Sequence, residues 1–389
     1  MKKKLAFFIL NAFLLVLTLP KRLLARSKDV AEIKPRKILL IRLDYIGDVV
    51  MTSPAFSFLQ SRFPESNISL LTNSVAKELY KNDANIDKIW VYNWPWRFQR
   101  SDNGFNKAKV KQLFQVIRTL RKERFDLVVD PRGDSRFLFL FGALIGAKTK
   151  IGNSRTGNCG LLDFMSQYDT EKHEIERSFD VLRCFKNPPV TLRPYVSIPD
   201  EELDRAKALT QKLAGRVGHP KVALIAPFSS KDVKSWPLDY FKDVIAHLLT
   251  QKYLVIVVGT KDDAKDALLL TDLFSKNVYS LAGKTSILEL AALTSVSQLV
   301  VGVDTGVLHI AACFSTPIVA IFGPTRSCEY RPYSKYAVVA DSQSCVCDQF
   351  THQTCDVLTN GYARCMTQAL PSLVIRRIDE ITIQQLKAL

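Results

Sequence analysis

The stretch from Val300 to Thr325, VVGVDTGVLHIAACFSTPIVAIFGPT, constrains the fold of this chain more than any other part of its sequence. Its apolar runs and its Gly and Pro punctuation predict a buried strand at Gln298–Gly302, a short helix at Thr305–Phe314 and a second strand at Pro317–Phe322. Two buried strands joined through a helix are typical of a parallel α/β sheet.

The turn between that strand and that helix, Gly302–Gly306, is suited to hold an anion. It lies at the carboxyl end of a strand and at the amino end of a helix, where free backbone N–H groups and the helix dipole gather. A diphosphate is the most natural occupant. The alternative is an ordinary turn in which Asp304 or Thr305 merely caps the helix.

Length and charge set the broad class. With 389 residues, of which 47% are hydrophobic, the chain can bury more than one core, and we expect two domains. The net charge is +16, and residues 1–36 carry nine basic and two acidic residues. Basic charge next to an apolar run indicates an anionic membrane surface before it indicates nucleic acid.

The apolar run is Leu5–Leu19, which has no charged residue and lies between two basic clusters. A membrane-spanning helix needs about twenty apolar residues, so this run is short for one. Leu23-Leu24-Ala25 lacks the small residue expected before a signal cleavage site. We favour an uncleaved helix that lies in the cytoplasmic leaflet, with a spanning anchor and a cleaved signal as alternatives.

Strand and helix patterns alternate along the rest of the chain and restart once. The strand predicted at Lys37–Leu43 opens the first α/β domain (37–195), and a Pro-rich linker with a charged helix (196–220) follows. The strand at Lys221–Ala226 opens a second α/β domain (221–340). A cysteine-rich tail with a last amphipathic helix at Ile378–Leu389 forms residues 341–389.

Two acidic residues follow the first strand, in the sequence Asp44-Tyr45-Ile46-Gly47-Asp48. Gly47 allows the turn to approach a ligand, and the Asp48 carboxylate can take a proton from a sugar hydroxyl. Asp44 is a second candidate for this role. The alternative is that Asp48 caps a helix that begins near Thr52 or Pro54.

Groups that bind phosphate follow the strands of the second domain. Two serines and two lysines follow the first of these strands and can bind phosphates by hydrogen bonds and charge. They are Ser229, Ser230, Lys231 and Lys234. An acidic residue after Gly259-Thr260, such as Asp262, can bind ribose hydroxyls or cap the next helix. His309 is read as a donor to phosphate or sugar or as a packed helix residue, and not as a metal ligand.

Arginines and cysteines complete the candidate groups. Three arginines follow strands of the first domain and suit a phosphorylated or carboxylated acceptor: Arg132, Arg136 and Arg155. The alternative for each one is an ordinary surface arginine.

Four cysteines of the tail are tightly grouped: Cys345, Cys347, Cys355 and Cys365. Their spacing lacks paired CxxC knuckles, so reduced thiols or a local disulfide compete with a metal site.

Together these motifs resemble glycosyltransferase family 9, the lipopolysaccharide heptosyltransferases. The resemblance rests on four segments that occur in the family's order and spacing: IRLDYIGDVVMTSPAFSFLQSRFP (41–64), FDLVVDPRGDSR (125–136), PFSSKDVKSWPLDYF (227–241) and LAGKTSILELAALTSVSQLVVGVDTGVLHIAACFSTPIVAIFGPT (281–325). It implies a GT-B fold of two Rossmann-like lobes that face a central cleft, with an N-terminal membrane-associating segment added in this chain.

The resemblance also implies an inverting, metal-independent transfer of a sugar, without a cofactor, from ADP-heptose to a lipopolysaccharide core or related glycolipid. Asp48 matches the base of the family, Ser229, Ser230 and Lys234 match donor-phosphate contacts, and Asp304, Thr305, Gly306 and His309 match its D-T-G-x-x-H turn. The chain departs from the family at Lys261, where relatives have an acidic ribose contact.

The expected location is the cytoplasmic face of the inner membrane, where the protein would be peripheral or N-terminally anchored. The partners expected there are a nucleotide sugar, an anionic glycolipid and the membrane surface, with no nucleic acid. Two other functions stay open: a nucleotide-sugar epimerase or hydrolase on the same fold, and a non-catalytic, membrane-tethered binding protein.

Overall fold

The structure is a computed structural model that describes residues 30–94, 107–156, 160–185, 191–215, 220–274, 276–342, 355 and 358–386. It divides into two compact units between Leu192 and Arg193. The predicted apolar segment Leu5–Leu19 lies outside the described residues. Within the described ranges, no helix combines the length and apolarity that crossing a membrane requires.

The first unit is built on a six-stranded parallel sheet. Its strands are β1 (Lys37–Ile41), β2 (Asn67–Thr72), β3 (Lys88–Val91), β4 (Leu127–Asp130), β5 (Thr149–Asn153) and β6 (Phe164–Ser166). Its helices are α1 (Ile46–Thr52), α2 (Pro54–Arg62), α3 (Ser74–Tyr80), α4 (Lys107–Glu123), α5 (Ser135–Leu138) and α6 (Glu174–Asp180), with a π-helical turn at Phe139–Ala143 and a 3-10 turn at Val30–Glu32.

The second unit repeats this design. Its strands are β7 (Val222–Ala226), β8 (Leu254–Val257), β9 (Val278–Ser280), β10 (Leu299–Val303), β11 (Ile318–Phe322) and β12 (Ala337–Asp341), with a small hairpin of β13 (Leu358–Thr359) and β14 (Tyr362–Ala363). Its helices are α7 (Asp200–Ala214), α8 (Leu238–Thr250), α9 (Ala264–Thr271), α10 (Ile287–Val296), α11 (Gly306–Ala311), α12 (Ser327–Tyr330), α13 (Arg364–Gln368) and α14 (Pro371–Leu386), with a 3-10 turn at Asp232–Lys234.

Both large sheets have the same strand order. The first runs β3-β2-β1-β4-β5-β6 and the second runs β9-β8-β7-β10-β11-β12 when read from its other edge. This is the Rossmann order, in which the chain reverses direction across the sheet beside the first strand. Ligands of such sheets bind outside the carboxyl ends of the strands at that reversal, which here means the ends of β1 and β4 and of β7 and β10.

Apolar residues on both faces bury the second sheet. Along β7, Ile225 faces one apolar cluster, whereas Leu224 and Ala226 face the other. Helices α8 and α14 cover the first face, and helices α7 and α10 lie on the second. Because both faces are covered, the central strands β7, β8, β10 and β11 are buried apolar runs without polar alternation, and this made them predictable from sequence.

The last helix starts earlier than predicted, whereas the helix predicted in the linker is present. The last helix begins at Pro371 rather than Ile378, because Val374 already packs in the core on the same face as Ile378 and Ile381. The charged helix expected in the linker 196–220 is present as α7, and its apolar residues pack onto the second sheet.

Candidate active site

The chain after β1 brings two carboxylates to the strand reversal of the first sheet. Asp44 lies in the turn and is fully buried, and Asp48 lies in the first turn of α1. The helix expected near Thr52 or Pro54 is present as α2, which begins at Pro54. Asp48 does not cap it, because the chain already enters a separate helix, α1, after the extended residue Tyr45 and Asp48 lies within that helix. Pro54, which has no N–H group, suits the first position of α2.

The fully buried guanidinium of Arg42 gathers three carboxylates around it. Its Nη2 lies 2.7 Å from Glu174 Oε1 and 3.6 Å from Asp48 Oδ1, and its Nε lies 3.4 Å from Asp44 Oδ2. Arg177, on the same helix as Glu174, holds the other oxygen of that carboxylate at 3.0 Å. Buried charges persist only when they are paired in this way.

Asp48 differs from the other two carboxylates of this network in its exposure. Its side chain is 17% exposed, whereas those of Asp44 and Glu174 are 0% and 3% exposed. Burial raises the pKa of Asp48; Arg42 opposes this, and the negative charges of Asp44 and Glu174 add to it. In contrast, burial of Glu174 raises its pKa less than the positive charges of the surrounding arginines lower it, so that its pKa falls to about 2. Asp48 is therefore more basic than Glu174, and it is the most accessible carboxylate of the three.

The three predicted acceptor arginines lie around this network. Arg132 donates a hydrogen bond to Asp44, and Arg136 Nη2 lies 2.6 Å from Asp134 Oδ2. The positive charge of Arg155 helps to lower the pKa of Glu174. Ion pairs with carboxylates thus fix the positions of the Arg132 and Arg136 side chains. A role in binding the acceptor stays a prediction for all three.

Asp130, at the end of β4, shapes the turn that carries Arg132. Its carboxylate accepts hydrogen bonds from the backbone N–H groups of Arg132 and Asp134, at 3.1 and 2.9 Å. Burial, with the neighbouring charges of Asp134 and Asp44, raises the pKa of Asp130 to about 7. Gly133 completes the turn with a φ of +69°.

In the second unit, an ion pair joins the two loops at the strand reversal. Lys234, in the loop after β7, places its Nζ 2.5 Å from Asp304 Oδ2, which follows β10. Burial opposes ionisation of Asp304, but the charge of Lys234, the nearby imidazole of His309 and the hydrogen bond from Lys234 outweigh it and lower the pKa of Asp304.

His309 lies one turn into α11, close to this ion pair. It is 6% exposed, and its pKa is lowered because burial and the charge of Lys234 outweigh the attraction of Asp304. The imidazole is therefore neutral at pH 7. Its Nδ1 has no hydrogen-bond partner among the described residues. A neutral ring with an unused nitrogen can donate to or accept from a bound ligand.

Residues at the start of α11 and in the loop after β7 surround that pair. Thr305 is the N-cap residue of α11, but its side chain makes no capping hydrogen bond to a described residue, and it and Gly306 are half-buried. Ser229 is buried and accepts from the N–H of Lys231 at 3.4 Å, whereas Ser230 is exposed.

In the loop after β8, hydrogen bonds fix the carboxylate of Asp263 and not that of Asp262. The Asp263 carboxylate accepts hydrogen bonds from the N–H and the hydroxyl of Thr260, at 2.8 and 2.6 Å. Asp262 is exposed, and the helix that follows begins at Ala264 with Asp263 as its N-cap residue. Capping by Asp262 is therefore excluded, and its predicted contact with ribose stays a prediction.

The C-terminal tail packs into the second unit. Cys365 is buried and Cys355 packs against the same apolar cluster, whereas Cys345 and Cys347 lie outside the described residues. The described residues contain no group of His, Cys, Asp and Glu arranged to hold a metal ion. Trp236 Nε1 donates to the carbonyl of Ala369 at 2.8 Å, so the tail supports the loop that carries Lys234.

Sequence reasoning missed Arg42, Glu174 and Arg177. Arg42 interrupts the apolar run KILLIRL just before its last residue, and a charged residue at that point is a usable signal. Glu174 and Arg177 lie in a segment for which no role was predicted. Only the fold brings Glu174 to Arg42, which precedes it by 132 residues.

Comparison with known proteins agrees with this architecture. The sequence model of glycosyltransferase family 9 (heptosyltransferase) matches residues 113–358. Lipopolysaccharide heptosyltransferase 3 of Escherichia coli is 26% identical over 306 residues, which cover 75% of this chain and 83% of that protein. Lipooligosaccharide heptosyltransferase 2 of Haemophilus ducreyi is 24% identical over 316 residues, which cover 78% of this chain and 88% of that protein.

Solved structures share the fold across both units. The E. coli ADP-heptose lipopolysaccharide heptosyltransferase II aligns with a TM-score of 0.70 and 18% identity, over 90% of this chain and 99% of that one. A family 9 glycosyltransferase from Veillonella parvula aligns with a TM-score of 0.74 and 18% identity, over 92% of this chain and 100% of that one. With the match to the family model, these likenesses show that the chain belongs to glycosyltransferase family 9 and is a glycosyltransferase.

Proposed function

We propose that this glycosyltransferase inverts the anomeric centre, needs no metal, and transfers heptose from ADP-heptose to a lipopolysaccharide core or related glycolipid. The observation that carries the proposal is the Asp48 carboxylate, which is partly exposed beside buried Arg42 and has a raised pKa. A carboxylate in this state can reach an acceptor hydroxyl and is basic enough to take its proton.

In the proposed reaction, the acceptor oxygen attacks the anomeric carbon from the face opposite the leaving ADP. Asp48 takes the proton of the hydroxyl and becomes a neutral acid. The bond between the anomeric carbon and the phosphate oxygen breaks, and the diphosphate leaves with the electron pair. One displacement of this kind inverts the configuration at the anomeric carbon.

The leaving diphosphate gains negative charge, which the second unit is equipped to stabilise. The Lys234 ammonium, the hydroxyls of Ser229 and Ser230 and the N–H groups at the start of α11 supply donors there. Preorganised donors of this kind can do what a metal ion does in other transferases. Neutral His309 adds a hydrogen-bonding group that does not change the local charge.

The donor and acceptor are proposed from the relatives. One E. coli heptosyltransferase has been solved with ADP and with ADP-2-deoxy-2-fluoro heptose, and relatives by sequence are named for lipopolysaccharide or lipooligosaccharide. The basic charge of residues 1–36 beside the apolar run Leu5–Leu19 supports association of the protein with a membrane. We propose the cytoplasmic face of the inner membrane as the site of action.

The proposal is tested by release of nucleoside diphosphate from a panel of nucleotide sugars, with and without a lipid A–inner core acceptor and with and without EDTA. We expect release from ADP-heptose that requires the acceptor and survives EDTA, and a product of inverted configuration by NMR. Release from another donor would reject the heptose donor, and loss of turnover in EDTA would reject the metal-free mechanism. Alteration of the donor without acceptor would indicate an epimerase or hydrolase.

A further inference from the structure

Helix α4, Lys107–Glu123, presents an unusual exposed face. Its inner face packs Leu113, Val116 and Ile117 against the core of the first unit. On the outside, Phe114 is 67% exposed and Val110 is 38% exposed. Exposed apolar side chains that lie together and are rimmed by polar or charged residues mark interaction surfaces.

The basic residues of α4 lie on the same side as these apolar residues. At about 100° per residue, an arc of about 120° holds Val110 and Phe114 together with five basic residues. All five are exposed: Lys107, Lys111, Arg118, Arg121 and Lys122. The opposite exposed flank carries Ala108, Gln112, Gln115 and Thr119, which are uncharged. The positive charge is therefore concentrated around Phe114.

Negative charge does not neutralise this face. The one acidic residue of α4, Glu123, lies at its last turn and pairs with Lys37 at 3.2 Å and with Lys88 at 2.8 Å. Within the part of the chain that the structure describes, Lys111 and Arg118 form no ion pair, although they flank Phe114 by one helical turn on either side. Basic side chains around an exposed aromatic ring are typical of a helix that lies on an anionic membrane.

The position of α4 links this face to the basic N-terminal segment. The ion pair between Glu123 and Lys37 places the end of α4 beside the first residue of β1. The backbone N–H groups of Arg36 and Lys37 also donate to Asp126, just beyond the helix, at 2.9 and 3.1 Å. The segment predicted to associate with the membrane therefore enters the fold at the carboxyl end of α4.

We propose that this face of α4 docks on the anionic phospholipid surface of a bilayer, with Phe114 inserted among the headgroups and the flanking basic residues on lipid phosphates. The contact adds to any made by residues 1–36. It would hold the first unit against the membrane along the length of the helix, about 25 Å for its 17 residues. The inference does not depend on which sugar is transferred.

Fluorescence quenching of a new tryptophan tests insertion directly. In the full chain, Phe114→Trp is compared with Leu269→Trp, since Leu269 is 56% exposed on α9 of the second unit. The probe is a vesicle of phosphatidylcholine and phosphatidylglycerol with brominated chains and no glycolipid. We expect quenching beyond that of the native tryptophans for Phe114→Trp and not for Leu269→Trp. Equal quenching of the two variants, or none, would overturn the proposal.

Vesicle partitioning tests the charges. Each basic residue near an anionic surface contributes about 1 kcal/mol, or about fivefold in partitioning. We expect the combined variant Lys111→Gln, Arg118→Gln, Phe114→Ser to lose at least about tenfold in partitioning to these vesicles relative to the wild type. The control variant Lys265→Gln, Leu269→Ser removes one exposed basic residue and one exposed apolar residue from a helix of the second unit, and it is expected to partition like the wild type. A loss of equal size in both variants would contradict docking through α4.

Transfer to a soluble, lipid-free acceptor fragment separates this inference from the proposed function. We expect the α4 variant to retain wild-type turnover there, since none of its residues lies in the networks around Asp48 or Lys234. Loss of that turnover together with loss of partitioning would indicate a damaged fold and overturn the assignment of α4 as a docking face.

Discussion

Arg42 Nη2 lies 2.7 Å from Glu174 Oε1, although the two residues are 132 positions apart in the sequence. The same nitrogen lies 3.6 Å from Asp48 Oδ1. Glu174 thus shares the Arg42 charge with Asp48 and keeps Arg42 from fully stabilising the Asp48 carboxylate. This sharing is part of why the pKa of Asp48 is raised, together with burial.

Removal of the Glu174 charge should move the pH dependence of the reaction. Glu174→Gln removes one of the charges that raise the pKa of Asp48, so that pKa falls. Because the base must be ionised, kcat/KM rises with pH through this pKa, and the acidic limb of the profile should shift to lower pH. The check is the pH profile of kcat/KM for the wild type and the variant.

Glu201→Gln is the control for this prediction, since Glu201 forms a surface ion pair on α7 and exposed pairs contribute little. Its profile should coincide with that of the wild type. An acidic limb for Glu174→Gln at the wild-type position, or at higher pH, would show that Glu174 does not act on Asp48.

The turn that carries Arg132 should tolerate no side chain at Gly133. A Cβ there would lie 1.9 Å from Asn153 Oδ1, in addition to the strain of a φ of +69°. Gly146 has a similar φ, +77°, but a Cβ there meets nothing within 4 Å. We expect Gly146→Ala to cost about 1 kcal/mol of unfolding free energy, and Gly133→Ala about 3 kcal/mol. Urea unfolding measures both, and equal costs would contradict the close approach.

Lys234 should be needed for binding of the donor nucleotide. Lys234→Met removes a charged donor, which is worth about tenfold to a hundredfold in affinity. Titration calorimetry with ADP in EDTA measures the effect, and Lys242→Met, on the exposed surface of α8, should bind like the wild type. Unchanged ADP affinity in Lys234→Met would remove Lys234 from the donor site.

Asp130 should make the stability of the first unit depend on pH. Its pKa is raised from 3.8 to about 7 in the fold, so the folded state holds this proton more tightly than the unfolded state does. The stabilisation is complete below pH 4 and is lost as the pH rises through 7, a change of about 4 kcal/mol.

The difference in unfolding free energy between the wild type and Asp130→Asn isolates this contribution. The substitution also removes a hydrogen bond to the backbone, but that loss does not vary with pH. We expect the wild type to lose stability relative to Asp130→Asn between pH 4 and pH 8. A constant difference across that range would show that Asp130 does not bind a proton in the fold.

The sequence predicts those parts of the fold that depend on a short local pattern of residues. Strands β1, β4, β7, β10 and β11 are buried apolar runs, and polar residues that follow them mark the strand ends where sites form. Strands β5, β6, β9 and β12 were missed. The last three lie at sheet edges and are only partly buried, and β5, Thr149–Asn153, mixes polar and apolar residues.

The charge network could not be predicted, because it depends on contacts between distant segments. No local pattern connects Glu174 with Arg42, and nothing in the sequence distinguishes the held Asp263 from the exposed Asp262. The roles predicted for Asp48, Lys234 and His309 came from their place after strands and from the family resemblance. The structure adds the burial and the neighbours that make those roles chemically reasonable.

The most direct test of the central claim is the turnover number of Asp48→Asn with ADP-heptose and acceptor, measured beside its affinity for ADP. Asparagine keeps the size of the side chain but cannot take a proton, and loss of a general base costs about a hundredfold to ten-thousandfold in rate. We expect a loss of this size in kcat, with ADP affinity and the fold unchanged. Turnover within a few-fold of the wild type would contradict the assignment of Asp48 as the base.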